Sequence, residues 1–175
     1  MSVITLPQKS LRAILVVGLQ GAVITAFGYY CGERFTALFH GASAQIGGIW
    51  SAISGLVVLQ STVKDTLKSS GLRIIGTFIG ALICAVYLWL FGYSLIGMAV
   101  CAGLTLSVCY LLDIFEYARL AAATVVIIAV VSVRTPGISP FLNAFLRFAE
   151  AAIGVGICIV CVYGLRPLLQ PQASV

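Results

Sequence analysis

Arg147 and Glu150 stand three residues apart inside an otherwise apolar run, and their types could do chemistry there. In a helix that spacing puts both on one face, close enough to pair. Arg147 would lie roughly 9 Å into its helix at ~1.5 Å per residue, within snorkelling reach of an interface. Glu150 is a turn deeper and has a shorter side chain. An isolated acid at the centre of a bilayer costs about 2.5–3.5 kcal/mol. The two residues therefore form either an ion pair that fixes helix packing or a polar face along a pathway. Arg73 sits in a similar apolar setting, where a flanking position at the membrane surface is the simpler expectation. Before it, Gln60, Thr62, Lys64, Asp65 and Lys68 interrupt two apolar segments. A short helix ending in such residues can turn backbone dipoles toward a permeant ion, or simply end at an interface.

Other chemistries find little support. Cys158 and Cys161 have a C-x-x-C spacing, but within an apolar segment. Thiolates there would be costly, so packing is expected for them and for Cys31, Cys84, Cys101 and Cys109. His40 is the lone histidine and has no ligand cluster beside it. No nucleotide loop, Ser/His/Asp set or facing carboxylate pair is present. Asp113, Glu116 and Arg119 suit a short solvated connection. No catalytic residue, metal or cofactor is expected, and an enzyme is the weakest of the functional readings.

These residues need elements to position them, and composition says which. The 175 residues are 61% hydrophobic and 9% charged, with a mean hydropathy of +1.14. Soluble domains carry about 25% charged residues, so an all-α integral membrane protein in a lipid bilayer is expected. The formal net charge of +5 comes from scattered residues rather than a basic run with interleaved aromatics. A nucleic-acid partner is not expected.

Spans of roughly 20 apolar residues fall at 11–31, 44–60, 73–91, 94–112, 119–134 and 141–165, the second and fifth being short. The first resembles a signal peptide, but its apolar run exceeds the ~7–15 residues usual for one, so it is read as retained. Trp89, Phe91 and Tyr93 suit an interfacial aromatic belt. The segment from Arg134 to Pro140 is a turn. The organisation is a segment at 1–10, a six-helix domain at 11–167 and a tail at 168–175. Lys9, Arg12, Lys64, Lys68, Arg73, Arg119 and Arg166 fall at one set of helix ends; Arg34, Arg134 and Arg147 fall at the other. That excess puts both termini in the cytoplasm.

Leu72-Arg73-x-x-Gly76-x-x-x-Gly80-x-x-x-Cys84 overlies Leu146-Arg147-x-x-Glu150-x-x-x-Gly154-x-x-x-Cys158 at one constant offset, which also pairs Ile53 with Ile127 and Val57 with Val131. Three spans separate the copies, so they insert in opposite directions, a 3+3 inverted-topology repeat. Gly76, Gly80, Gly154 and Gly156 make small-residue faces for close helix packing. Gly47-Gly48 would loosen the start of the second span.

Trp50-Ser-Ala-Ile-Ser54, Val57-Val58-x-Gln60, Thr62-Val63, Thr66-Leu67 and Gly71-Leu72-Arg73-x-x-Gly76-Thr77 resemble the fusaric acid resistance and aromatic acid exporter superfamily, to which the aluminium-activated malate transporter channels look related. Arg147-x-x-Glu150-x-x-x-Gly154 and Arg166-Pro167 resemble its closing helix. The resemblance spans residues 45–167. It implies a six-helix unit used in pairs, here a homodimer, exporting small organic anions, aromatic acids included, across a bacterial inner membrane. Larger members have a soluble cytoplasmic domain and often two such units; this sequence shows one unit. Lys64-Asp65 stands where the pattern usually has a glycine.

An organic-anion transporter or channel is thus the leading reading, with Arg73, Arg147, Glu150, Gln60, Thr62, Lys64 and Lys68 along its pathway. The polar interval at Gln60–Lys68 would be a cytoplasmic turn whose basic groups attract anions at about 1 kcal/mol each. A non-transporting scaffold or regulatory subunit is the alternative.

Overall fold

The computed structural model describes residues 11–135 and 137–169. The expected segment at 1–10 and the end of the tail lie outside the described residues. Among the described residues six helices follow one another: α1 (Leu11–Phe39), α2 (Ala44–Val58), α3 (Val63–Phe91), α4 (Leu95–Leu111), α5 (Phe115–Arg134) and α6 (Pro140–Leu169). A 3-10 turn, Gly41–Ser43, leads into α2. No strand occurs among the described residues.

The chain is inside-out relative to a soluble protein. Its two largest fully buried side chains are Arg73 and Arg147, whereas Leu15, Phe27, Tyr30, Ile96 and Val160 lie on the outside, more than half exposed. Lipid is the solvent that suits such a surface. Five helical segments are long and apolar enough to cross a membrane. The other, α4, has 17 residues, at the short end of a spanning helix. The fold is that of an all-α integral membrane protein.

Several helices run further than their apolar cores. α1 and α3 have 29 residues each, roughly 44 Å of helix against a hydrocarbon core of ~30 Å. α1 continues past Cys31 through Glu33 and Arg34, and α5 starts early enough to hold Glu116 and Arg119. The expected connection at 61–72 is the largest correction. Only 59–62 lie between helices, and Lys64, Asp65 and Lys68 belong to the first turns of α3. The physical cause is a cap. Thr62 Oγ1 accepts from the Asp65 amide at 3.1 Å and donates to Asp65 Oδ2 at 2.6 Å. This satisfies an orphan N–H and places a negative charge at the positive end of the helix.

α3 and α6 form the central pair. They run antiparallel, since Phe78 meets Phe148 and Trp89 meets Phe141. α2 packs on α6 and α5 packs on α3; α1 also packs on α6, and α4 on α3. Exchanging the first three helices with the last three leaves this set of neighbours unchanged. Directions agree as well. α2 runs parallel to α6, with Gly47 beside Glu150 and Gly55 beside Gly154. α5 runs parallel to α3, with Tyr117 beside Ser69 and Val125 beside Cys84.

Glycines set the closest approaches. A methyl group on Gly154 would strike the Ser51 carbonyl oxygen, and one on Gly80 the Ala121 carbonyl oxygen. Gly76 is looser, with Ala121 Cβ 3.4 Å from such a methyl. Gly156 has open space instead. Gly47 and Gly48 do not interrupt α2, which is continuous from Ala44 to Val58; they lie against Glu150 and the Tyr29 ring.

Candidate functional site

The polar interior is arranged along α2. Trp50 and Ser54 are one turn apart on that helix and both are buried. Arg73 reaches them from α3. Its Nη2 donates to Ser54 Oγ at 3.0 Å, and its Cζ lies 4.9 Å from the centre of the Trp50 ring system. The side chain is 1% exposed, so the expectation of a surface-flanking arginine is corrected. The indole face supplies cation–π attraction but accepts no hydrogen bond in the guanidinium plane. Arg73 Nε and Nη1 have no hydrogen-bond partner, and neither has Trp50 Nε1. Ser70 Oγ and Thr77 Oγ1, within one turn of Arg73 on α3, are also buried without partners. No carboxylate pairs with Arg73 among the described residues.

Nearer the α1–α2 connection lies a second polar layer. Arg147 Nη1 stands 2.9 Å from Glu150 Oε2, and both side chains are fully buried. The separation is that of an ion pair, yet the groups are not aligned for a hydrogen bond, and Arg147 Nε and Nη2 also lack partners. The pair thus balances charge while leaving most of the guanidinium's donors unused. Glu150 Oε1 accepts from Thr36 Oγ1 of α1 at 2.5 Å. Gly47 makes room for that bond, because a methyl there would meet both Thr36 and Glu150. The layers, read off α2 at Gly47 and at Trp50–Ser54, are roughly 7 Å apart at ~1.5 Å per residue.

The other expected site residues lie elsewhere. Gln60, Thr62, Lys64 and Lys68 are exposed at the α2–α3 end. Thr62 serves as the cap of α3, and the Gln60 amide donates to Thr66 Oγ1 at 3.1 Å. Lys68 borders a recess with Leu72, Asp113, Phe115, Glu116 and Arg119. None of the four hydrogen-bonds to the Arg73 guanidinium. Trp50, Ser54, Thr36 and Gly47 are site residues that the sequence reading left unassigned. The i,i+4 spacing of Trp50 and Ser54 could have put them on one face; Thr36 carries no local signal.

Comparison with curated proteins finds no match, and comparison with solved structures finds none. A protein-family model does match, over residues 35–161, and so takes in the polar layers and the glycine contacts that join their helices. The chain belongs to the fusaric acid resistance protein-like family of membrane transporters.

Proposed function

We propose that the chain is a transport unit for small organic anions, exporting them across a bacterial inner membrane as a homodimer. One observation carries the reading: Arg73 is buried within a helix long and apolar enough to cross a membrane, with no carboxylate beside it among the described residues, and two of its nitrogens are unpartnered. An uncompensated cation in a dry interior is costly. An entering anion supplies the missing charge and an acceptor for one of those nitrogens. Carboxylate geometry suits the two-pronged edge of a guanidinium, here Nη2, which keeps a second hydrogen beside its bond to Ser54, with Nε or Nη1. Lys64, Lys68 and Arg119, exposed at the α2–α3 and α4–α5 ends, would draw anions to the inner mouth. Their excess over Arg34 and Arg134 at the other end supports cytoplasmic termini.

The homodimer rests on the resemblance and on the small size of one six-helix unit. Gly80 and Gly154 are occupied within the protomer, so they are not free to form its interface. Gly156 is open, in an apolar groove of α1 and α6 lined by Val23, Phe27, Ile153 and Val160.

Benzoate flux from proteoliposomes containing only this chain tests the reading. Flux that falls in Arg73→Ala supports it. Absence of movement for every anion offered would favour the scaffold alternative.

A further inference from the structure

Among the described residues, three groups of the Lys/Arg/Asp/Glu type are buried inside the bundle: Arg73, Arg147 and Glu150. Their formal sum is one positive charge when Glu150 is ionised. The two halves of the repeat reach that sum unequally. Arg73 has Gly76 three residues on, whereas its counterpart Arg147 has Glu150 at the same position. One arginine is left without an acid, and the other has one built into its own helix.

We infer that Glu150 is a tethered stand-in for a second transported carboxylate, held at the position on Arg147 that a free anion takes at Arg73. This rests on the anion-transport reading above. Three features support it beyond charge. The Arg147–Glu150 contact is single and poorly aligned, leaving Nε and Nη2 without partners. The other oxygen of Glu150 is held from a different helix by Thr36. The carboxylate can therefore leave Arg147 and keep a hydrogen bond. Finally, Gly47 clears just the space that this bond needs.

The consequence is an internal gate with defined stoichiometry. The wild-type interior holds one monoanion, at Arg73. An anion moving past the second layer must displace Glu150 from Arg147, and Glu150 closes behind it. Removing the acid turns the second layer into another free-anion site.

Equilibrium dialysis of radiolabelled benzoate against the full chain in detergent reads this directly. One benzoate per protomer is expected for wild type, two for Glu150→Gln, and one for the Arg147→Gln/Glu150→Gln double variant. Glu150→Gln leaves Arg147 uncompensated and will be less stable alone. Its thermal midpoint should then rise more steeply with benzoate than that of wild type, and Glu150→Gly, which copies Gly76, should behave alike. One benzoate in folded Glu150→Gln overturns the inference, as does failure of benzoate to stabilise both variants. Wild type that binds none overturns the underlying transport reading instead, so the two failures are distinguishable.

Discussion

The Arg73 guanidinium lies over the Trp50 ring across the α2–α3 contact, Cζ 4.9 Å from the ring centre. Ser54 pins one end of the guanidinium at 3.0 Å, so the indole and the hydroxyl together hold it while its Nε and Nη1 stay buried and unpartnered. A desolvated cation–π contact contributes about 2 kcal/mol or more. Trp50→Leu should lower the thermal midpoint and weaken benzoate binding, whereas Trp50→Phe, which keeps an aromatic face, should fall between the two. If Leu and Phe behave alike in thermal unfolding and in dialysis, stacking does not hold the arginine.

Gly154 and Gly156 are two residues apart and should respond oppositely to the same change. Alanine at 154 meets the Ser51 carbonyl and the Gly55 amide, both backbone. Neither can swing away, so α2 and α6 must separate, at about 1–3 kcal/mol. Alanine at 156 meets nothing within 4 Å and gains roughly 0.5–1 kcal/mol in helix propensity. Thermal unfolding of the two variants in one detergent makes the comparison. Equal shifts would mean that the close approach is not what fixes the helix pair.

Much of this was legible because membranes make polar residues conspicuous. Arginine is rare in apolar segments, so Arg73 and Arg147 aligned the two halves, and the i,i+3 rule paired Arg147 with Glu150. Depth was misjudged for a physical reason. Snorkelling reach is a property of an isolated helix, and α3 and α6 are the central helices, whose neighbours cover both arginines. The Lys64–Lys68 interval was read as a turn because charge outweighed the local Thr62-x-x-Asp65 cap, which favours a helix start. Thr36 and Glu150 are 114 residues apart, and no local spacing announces a contact between helices at that range.

The cap gives a prediction confined to one end of the bundle. Thr62→Ala removes the acceptor for the Asp65 amide and the donor to its carboxylate. A lost cap costs about 1 kcal/mol. Amide exchange should quicken in the first turn of α3 around Lys64 and Asp65, with little change near Arg73, more than two turns further in. Faster exchange spread along the whole helix would show that its start is coupled to the polar interior.

Orientation is testable without transport. The exposed basic residues Lys64, Lys68 and Arg119 lie at one face of the bundle, and Arg34 and Arg134 at the other. A reporter fused after Ser174 should read as cytoplasmic in a bacterial host, and a single accessible cysteine placed at Lys64 should be protected from an impermeant reagent in whole cells. The opposite result for both would reverse the pathway and turn the proposed exporter into an importer.

Selectivity follows from which buried charges lack a partner. Arg73 is the one buried cation without a carboxylate among the described residues, so Arg73→Ala removes the group that compensates an entering anion. Hydrogen bonds to a charged group contribute about 1.5–3 kcal/mol, which corresponds to a loss of roughly tenfold or more in benzoate flux. Arg147→Ala should also reduce flux, because it leaves Glu150 unpaired on the anion's path. Arg73→Lys separates charge from shape. Lysine restores the positive charge but not the planar fork or its stacking on Trp50. Chloride flux, which needs only charge, should recover further than benzoate flux in that variant. Equal recovery of both ions would mean that Arg73 acts as a point charge. Preference for potassium over benzoate in the wild-type protein would remove the basis for an anion pathway altogether.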